Sequence, residues 1–255
     1  MNIIDTHTHL YLKQFNKDID LVINRSKEIG VKKFIFPAID SSHFKEMHSL
    51  KNKYPDCIYL MSGLHPTDVK ENYKDELDFV VNSLKTHDYV AIGEIGIDLY
   101  WDNSFLNEQK EAFTFQIRLA IKHDLPIVIH CREAFDEIFE ILDKENSEKL
   151  RGVFHCFTGT LEQANRAIDL GFVLGIGGVV TFKNGGIDKF LNLIDLKHIV
   201  LETDAPYLAP VPFRGNRNES SYIIHVIEKL SEIYGLSKEE IVDITTKNAE
   251  KVFTL

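Results

Sequence analysis

Met1-Asn2-Ile3-Ile4-Asp5-Thr6-His7-Thr8-His9-Leu10 opens the chain: a short apolar run, Asn2–Thr6, passes directly into two histidines. Its isoleucines and threonine fit a pleated surface, so the run predicts a strand. Seven comparable runs follow, near Lys33–Ala38, Cys57–Ser62, Val90–Ile95, Pro126–His130, Gly152–Cys156, Phe172–Gly175 and Ile199–Thr203. Amphipathic stretches lie between them. Lys17–Ile29 spaces Ile19, Val22, Ile23 and Ile29 close to the helical period and stops at Gly30. Asn107–His123 places Phe113, Ile117, Ala120 and Ile121 on one side, and Thr160–Leu170 begins on a capping residue and ends at Gly171. Ser220–Tyr234 and Lys238–Phe253 read as closing helices.

Strands alternating with helices predict an α/β fold with a parallel sheet, and eight strands close a TIM (β/α)8 barrel. Barrels of about 250 residues commonly form one domain, so residues 1–255 are read as a single domain, with room for slight distortion. The rival is an open doubly wound sheet, which would gather its ligands at one switch point, typically on a G-x-G-x-x-G turn. That fingerprint is absent, and the chemically distinctive residues are spread over many strand ends.

Composition narrows the function classes. The apolar share of 44% supports a sizeable core, and 14 glycines and seven prolines are scattered without a low-complexity tract or linker. A basic segment followed by an apolar one is missing at the N-terminus, and no apolar run approaches the roughly 18 residues of a membrane span. Cys57, Cys131 and Cys156 are sparse and odd in number, which argues against a disulfide framework and for a reducing compartment, the cytoplasm. The net charge of −10 speaks against a broad basic surface of the kind that grips duplex nucleic acid. A nuclease stays compatible, because divalent ions supply positive charge locally.

With the strand ends marked, a constellation emerges. His7 and His9 follow strand one, Glu94 ends strand four, His130 ends strand five, His155 ends strand six and Asp204 follows strand eight. The carboxyl ends of barrel strands converge on one mouth, and imidazole with carboxylate suits Zn²⁺, Mn²⁺ or Mg²⁺. Residues i and i+2 of a strand share a face, so His7 and His9 can approach one ion. Taken alone, His-x-His is as readily a pair of surface histidines; the other strand ends decide for metal. Glu94 lies between Gly93 and Gly96 in an apolar strand, where an unpaired carboxylate costs several kcal/mol. A salt bridge would satisfy it, but so would two ions, one for each oxygen.

Cys131 and Cys156 each follow a candidate histidine, and strand alternation turns them towards the helices. His43, His48, His87, His123, His198 and His225 read as surface or structural residues. His65, in Gly63-Leu64-His65-Pro66 after strand three, reaches the same mouth and is read as a substrate-binding group, as are Arg132 and Arg214. Arginine's fork of donors matches phosphate oxygens, and the final loops of TIM barrels often cradle phosphate. A salt bridge to a helix carboxylate is the competing role for Arg132, and simple solvation for Arg217. Glu202, two residues before Asp204, is placed to hold a ligand histidine or a water from behind.

Together these motifs resemble the TatD family of metal-dependent deoxyribonucleases. The resemblance runs nearly end to end: Ile4-Asp-Thr-His7-Thr-His9, Gly63-Leu-His65-Pro66, Gly93-Glu94-Ile-Gly-Ile-Asp98, His130-Cys-Arg132, His155-Cys-Phe-Thr-Gly159, Glu202-Thr-Asp204-Ala-Pro206-Tyr207-Leu208 and Arg214-Gly. It implies metal ligands at His7, His9, Glu94, His130, His155 and Asp204. It also implies 3′ exonuclease or related DNase activity with Mg²⁺, Mn²⁺ or Zn²⁺. In Arg217-Asn218-Glu219-Ser220, serine stands where members commonly carry proline, which predicts a looser loop.

The expected reaction is phosphodiester hydrolysis by a water activated at two divalent metal ions about 3.5–4 Å apart. Glu94 bridges them, with His7, His9 and Asp204 on one and His130 and His155 on the other. Asp204 orients the water or takes its proton, so Glu94 and Asp204 are the catalytic pair. The acidic chain with a small basic mouth suggests DNA as single strands or 3′ ends. The alternative enzyme is an amidohydrolase or lactonase acting on a small metabolite with the same site. Such barrels often bridge their metals with a carbamylated lysine, and no lysine stands at the ends of strands four to six. A metal-storage or scaffold role fits poorly, since structural zinc sites are closed and usually rich in cysteine.

Overall fold

A computed structural model describes residues 1–255. The strands are β1 Ile3–Asp5, β2 Val31–Phe36, β3 Ile58–Ser62, β4 Ala91–Asp98, β5 Ile127–Arg132, β6 Gly152–Phe154, β7 Phe172–Ile176 and β8 Ile199–Leu201. All pair in parallel in one sheet, in chain order. The seam between β8 and β1 has no regular ladder. It is drawn together instead by the Thr6 N–H donating to the Leu201 carbonyl at 3.0 Å and the Asp204 N–H to the His7 carbonyl at 2.9 Å. The result is the expected TIM barrel, nearly closed and irregular at that seam.

The helices are α1 Ile19–Glu28, α2 Phe44–Lys53, α3 Tyr73–Ser83, α4 Leu106–His123, α5 Phe135–Lys144, α6 Leu161–Asp169, α7 Ile223–Tyr234 and α8 Lys238–Phe253. Capping explains several boundaries. Thr160 with Gln163, and Ser237 with Glu240, form capping boxes that satisfy the first amides of α6 and α8. Gly30 and Gly171 follow α1 and α6 at φ +108° and +88°, a conformation only glycine enters freely. One barrel helix is missing: between β7 and β8 the chain runs through short 3-10 turns from Gly178 to His198.

Two layers of core hold the barrel. Outside, a large cluster joins strands to helices, with Phe113, Phe139, Phe154 and Phe172 fully buried. Inside, Ile4, Ile35, Met61, Ala91, Val128, Val153 and Val200 form a second cluster, one residue from each of seven strands. Only side chains pointing into the barrel could meet in this way. Ala249 and Phe253 of α8 pack against them and close the floor.

Strand β4 carries a bulge at the residue that matters most. Gly93 pairs with Val128 and Ile95 with Ile129, so Glu94 is the extra residue. Its backbone turns instead to β2's end, where Glu94 N–H donates to the Ala38 carbonyl at 3.1 Å. The flanking glycines are required by close approach. A Cβ at Gly93 would lie 2.8 Å from that of Val128, and at Gly96, φ +145°, it would run into the His130 carbonyl oxygen.

The Asn218–Ser220 segment is firmly tied, contrary to the looser loop expected from Ser220. Asn218 Nδ2 donates to the Thr203 and Tyr207 carbonyls, both at 2.7 Å. Glu219 accepts a bidentate pair from Arg25 at 2.9 and 2.7 Å. Ser220 itself is fully buried, its hydroxyl 3.3 Å from that of Thr8.

Candidate metal centre

Histidines and carboxylates from six strand ends meet at the carboxyl mouth of the barrel. Glu94, buried, is the hub. Its Oε2 lies 3.0 Å from His7 Nε2 and 3.6 Å from His9 Nε2. Its Oε1 lies 2.8 Å from His130 Nδ1, 3.2 Å from His65 Nε2 and 3.6 Å from His155 Nε2. Each oxygen of one carboxylate thus faces its own set of imidazoles. Asp204 Oδ1 completes the ring, 3.4 Å from His9 Nε2 and 3.9 Å from the Nε2 atoms of His7 and His155.

β1 ends at Asp5 and β6 at Phe154, so His7, His9 and His155 stand on the loops just beyond their strands. His7 and His9 still converge, with their Nε2 atoms 3.3 Å apart and rings edge to face. His155 lies between the two expected ligand sets, stacked on His7 at 3.5 Å and as near Asp204 as His7 is. The simple split of His7, His9 and Asp204 against His130 and His155 is therefore not a spatial one.

Supporting groups orient the rings. His9 Nδ1–H donates to Tyr11 Oη at 2.8 Å, and that hydroxyl donates to the Pro37 carbonyl at 2.7 Å, leaving His9 Nε2 with a free lone pair facing the cluster. His130 Nε2 meets Asp98 Oδ2 at 2.8 Å. Glu202 Oε1 accepts the Cys156 N–H at 2.7 Å and approaches His155 Nδ1 at 3.0 Å, an ion-pair contact rather than an aligned hydrogen bond. A side chain at Gly175 would collide with the Glu202 carboxylate, so the glycine in β7 makes room for it. Asp98 and Tyr11 are the residues the sequence reading missed. Alternation from Glu94 through Gly96 puts Asp98 on the inward face once β4 is carried past Ile95.

Cys156 departs from its expected outward direction. β6 has ended, Cys156 sits at φ +44°, and its sulfur belongs to a tight group with His155 and Glu202. Burial and the nearby carboxylates of Glu202, Asp204 and Glu94 push its thiol far above the ordinary range.

The cluster favours positive charge at its centre. Burial alone would raise the pKa of Glu94, yet His65, His7, His155 and His130 hold it well below the usual carboxylate range. Burial opposes charge on His155, but Glu202, Glu94 and Asp204 raise its pKa to about 10. His130 stands between two carboxylates, which are satisfied together either by a second proton on the ring or by a cation in that proton's place. Donor atoms of His7, His9 and Glu94, of His65, Glu94 and His130, and of His7, His155 and Asp204 lie within 4.8 Å of one another in each group. Nitrogen and carboxylate donors so arranged fit divalent transition ions.

The arginines divide sharply. Arg25, Arg118, Arg151, Arg166 and Arg217 all pair with carboxylates. Arg217 holds Asp18 with two bonds of 2.8 and 2.7 Å, a structural tie between the β8–α7 loop and the start of α1 in place of the expected solvation. Arg132 and Arg214 make no salt bridge. Each sets its guanidinium carbon over an aromatic ring, Arg132 3.7 Å from the Tyr100 centroid and Arg214 3.8 Å from that of Phe182. The helix carboxylate considered as a partner for Arg132 is not its partner.

An eight-stranded parallel barrel whose mouth gathers imidazoles and carboxylates around one central glutamate defines the TIM-barrel class of metal-dependent hydrolases. A family model described as TatD related DNase matches residues 4–254, and the chain belongs to that family. It is 39% identical over 255 residues to an uncharacterised metal-dependent hydrolase, YabD, of Bacillus subtilis, covering 99% of both chains. A relative in Pantoea ananatis named 3′-5′ ssDNA/RNA exonuclease TatD is 31% identical over 257 residues, covering 98% of this chain and 99% of that protein. Among solved structures, the TatD homologue YJJV of Escherichia coli superposes with a TM-score of 0.93 at 29% identity, covering 99% and 98% of the two chains. The protein is a metal-dependent hydrolase.

Proposed function

We propose that the protein is a 3′–5′ exonuclease acting on single-stranded nucleic acid, DNA in particular, with two divalent ions (Mg²⁺, Mn²⁺ or Zn²⁺) held across Glu94. The observation that carries the reading is the division of Glu94, whose Oε2 faces His7 and His9 while Oε1 faces His130, His65 and His155. Bound there, divalent ions supply Lewis acidity, lowering the pKa of a water and offsetting charge on the phosphoryl oxygens. His7, His9, Glu94, His130, His155 and Asp204 are the proposed ligands. Asp204, slightly open to solvent where Glu94 is sealed, is the base that takes the proton of the attacking water.

The other residues bind and position. Arg132 and Arg214, without carboxylate partners, hold backbone phosphates, and His65 directs its Nε2 at the scissile group from beside Glu94. Glu202 fixes His155 from behind, as Asp98 does His130. Two basic groups at the rim of a chain with net charge −10 suit the end of a single strand better than a long duplex. The name of the Pantoea ananatis relative supports the same polarity and substrate. Three free cysteines support a cytoplasmic location, and no helix is long and apolar enough to cross a membrane.

The test is a metal-dependent digestion of single-stranded DNA carrying a label at either end, with elemental analysis of the same sample. Early release of the 3′ label as a mononucleotide supports the reading. Release from the 5′ end first, or inert DNA alongside rapid hydrolysis of dihydroorotate or lactones, contradicts it.

A further inference from the structure

Exposed large apolar side chains concentrate at the mouth. Tyr100, Trp101, Tyr207, Leu208 and Val211 follow β4 and β8, whereas Met1, Leu21, Phe79, Phe115 and Leu193 are scattered singly. Trp101 is the only tryptophan of the chain and, at 68%, the most exposed of all these side chains. Scattered apolar residues on a surface are ordinary; an indole left open beside a catalytic mouth asks for an occupant.

The backbone that carries the indole is held in place. Asp98 Oδ1 accepts the N–H groups of Tyr100 and Trp101 at 3.0 and 3.1 Å, while Asp98 Oδ2 meets His130. Leu99 N–H donates to the Arg132 carbonyl at 3.0 Å, and Gln109 bonds Asp98 from below. Tyr100 meets Trp101 edge to face at 4.9 Å and carries the Arg132 guanidinium on its own ring. The platform is thus tied to the carboxylate that touches His130, and an unpaired cation stands next to it.

We infer that Trp101, backed by Tyr100, is a stacking subsite for one nucleobase of a single strand whose phosphate Arg132 holds. The inference rests on the nucleic-acid reading above and adds the element that selects the substrate. Every base presents a π face, so an aromatic platform binds without regard to sequence. Bases within a duplex are already stacked on their neighbours, so the platform favours unpaired strands. For an acidic protein, affinity gained by stacking also depends less on salt than affinity gained through phosphates.

A single tryptophan makes the test direct. The metal-loaded protein is titrated with an eight-residue thymidine oligomer bearing phosphorothioate linkages, and indole emission is followed; an abasic oligomer of the same length and linkages is the comparison. Saturable quenching by the base-bearing oligomer alone is expected. Trp101→Ala should lower kcat/KM on unmodified single-stranded DNA by about tenfold or more, and should reduce the preference for base-bearing over abasic oligomers, with Trp101→Phe retaining most of it. Equal emission changes with both oligomers, no change with either, or an undiminished preference in Trp101→Ala overturns the subsite. Quenching in a protein that releases no nucleotides overturns the exonuclease reading and leaves the platform standing. Digestion without quenching does the reverse.

Discussion

The two ends of the barrel are built from the same strands and obey opposite rules. At the floor, Val128, Val153 and Val200 pack with Ile4, Ile35 and Met61 under the cap of Ala249 and Phe253. Two residues further along, β5 presents His130, and the chain beyond β6 and β8 presents His155 and Glu202. Burying the valines stabilises the fold through apolar area removed from water. Burying Glu94, Glu202 and the imidazoles costs free energy unless each charge is compensated. One end holds the barrel closed and the other uses the closed barrel, so substitutions at the two ends should separate stability from chemistry.

The strongest way to break this division is Glu94→Ala. Hydrolysis of single-stranded DNA should fall on the order of 10³-fold or more, while circular dichroism and the melting transition stay close to wild type. Loss of the fold along with activity would show that the mouth, too, holds the barrel together. Phe253→Ala is the mirror experiment. Truncating a buried phenylalanine costs about 3–5 kcal/mol, so chemical denaturation should reveal a loss of that size with turnover per folded molecule nearly unchanged.

Smaller effects sharpen the picture within the mouth. Asp98→Asn removes the negative charge behind His130, and lost support of this kind weakens metal affinity by about 10- to 100-fold. A competition titration with a chelating dye should show that change before any change in melting. The arginines supply the finest contrast. Arg132→Ala should raise KM for DNA about tenfold or more, since hydrogen bonds to charged groups are worth about 1.5–3 kcal/mol. Arg217→Ala, which breaks a surface pair with Asp18, should cost stability of about 1 kcal/mol or less and leave KM alone. An equal KM effect from both would erase the distinction between paired and unpaired guanidinium groups.

Local patterns explain why so much of the fold could be read from the chain. Each strand is a short apolar run between turn signals, and Gly30 and Gly171 end their helices through positive φ values. Between β7 and β8, where strand–helix alternation implied a helix and Ile187, Phe190, Leu191 and Ile194 are spaced as one helical face, the chain forms only short 3-10 turns. The six proposed ligands were legible because their residue types fall at strand ends, where a barrel brings them together. What escaped lay where the strands end at other residues than expected. β4 runs past Ile95 to Asp98, and β6 stops at Phe154, so that a left-handed turn at Cys156 reverses its expected direction. The rings beneath Arg132 and Arg214 lie some thirty residues away along the chain, and only the closed barrel joins them to their partners.

Metal stoichiometry, measured by elemental analysis of protein saturated with Mn²⁺ or Zn²⁺ and freed of excess ion, is the most direct probe of the bridging role proposed for Glu94. Two ions per wild-type chain, falling to one or fewer in Glu94→Ala, is the predicted result. A single ion in the wild type, or full loading of Glu94→Ala, would contradict it.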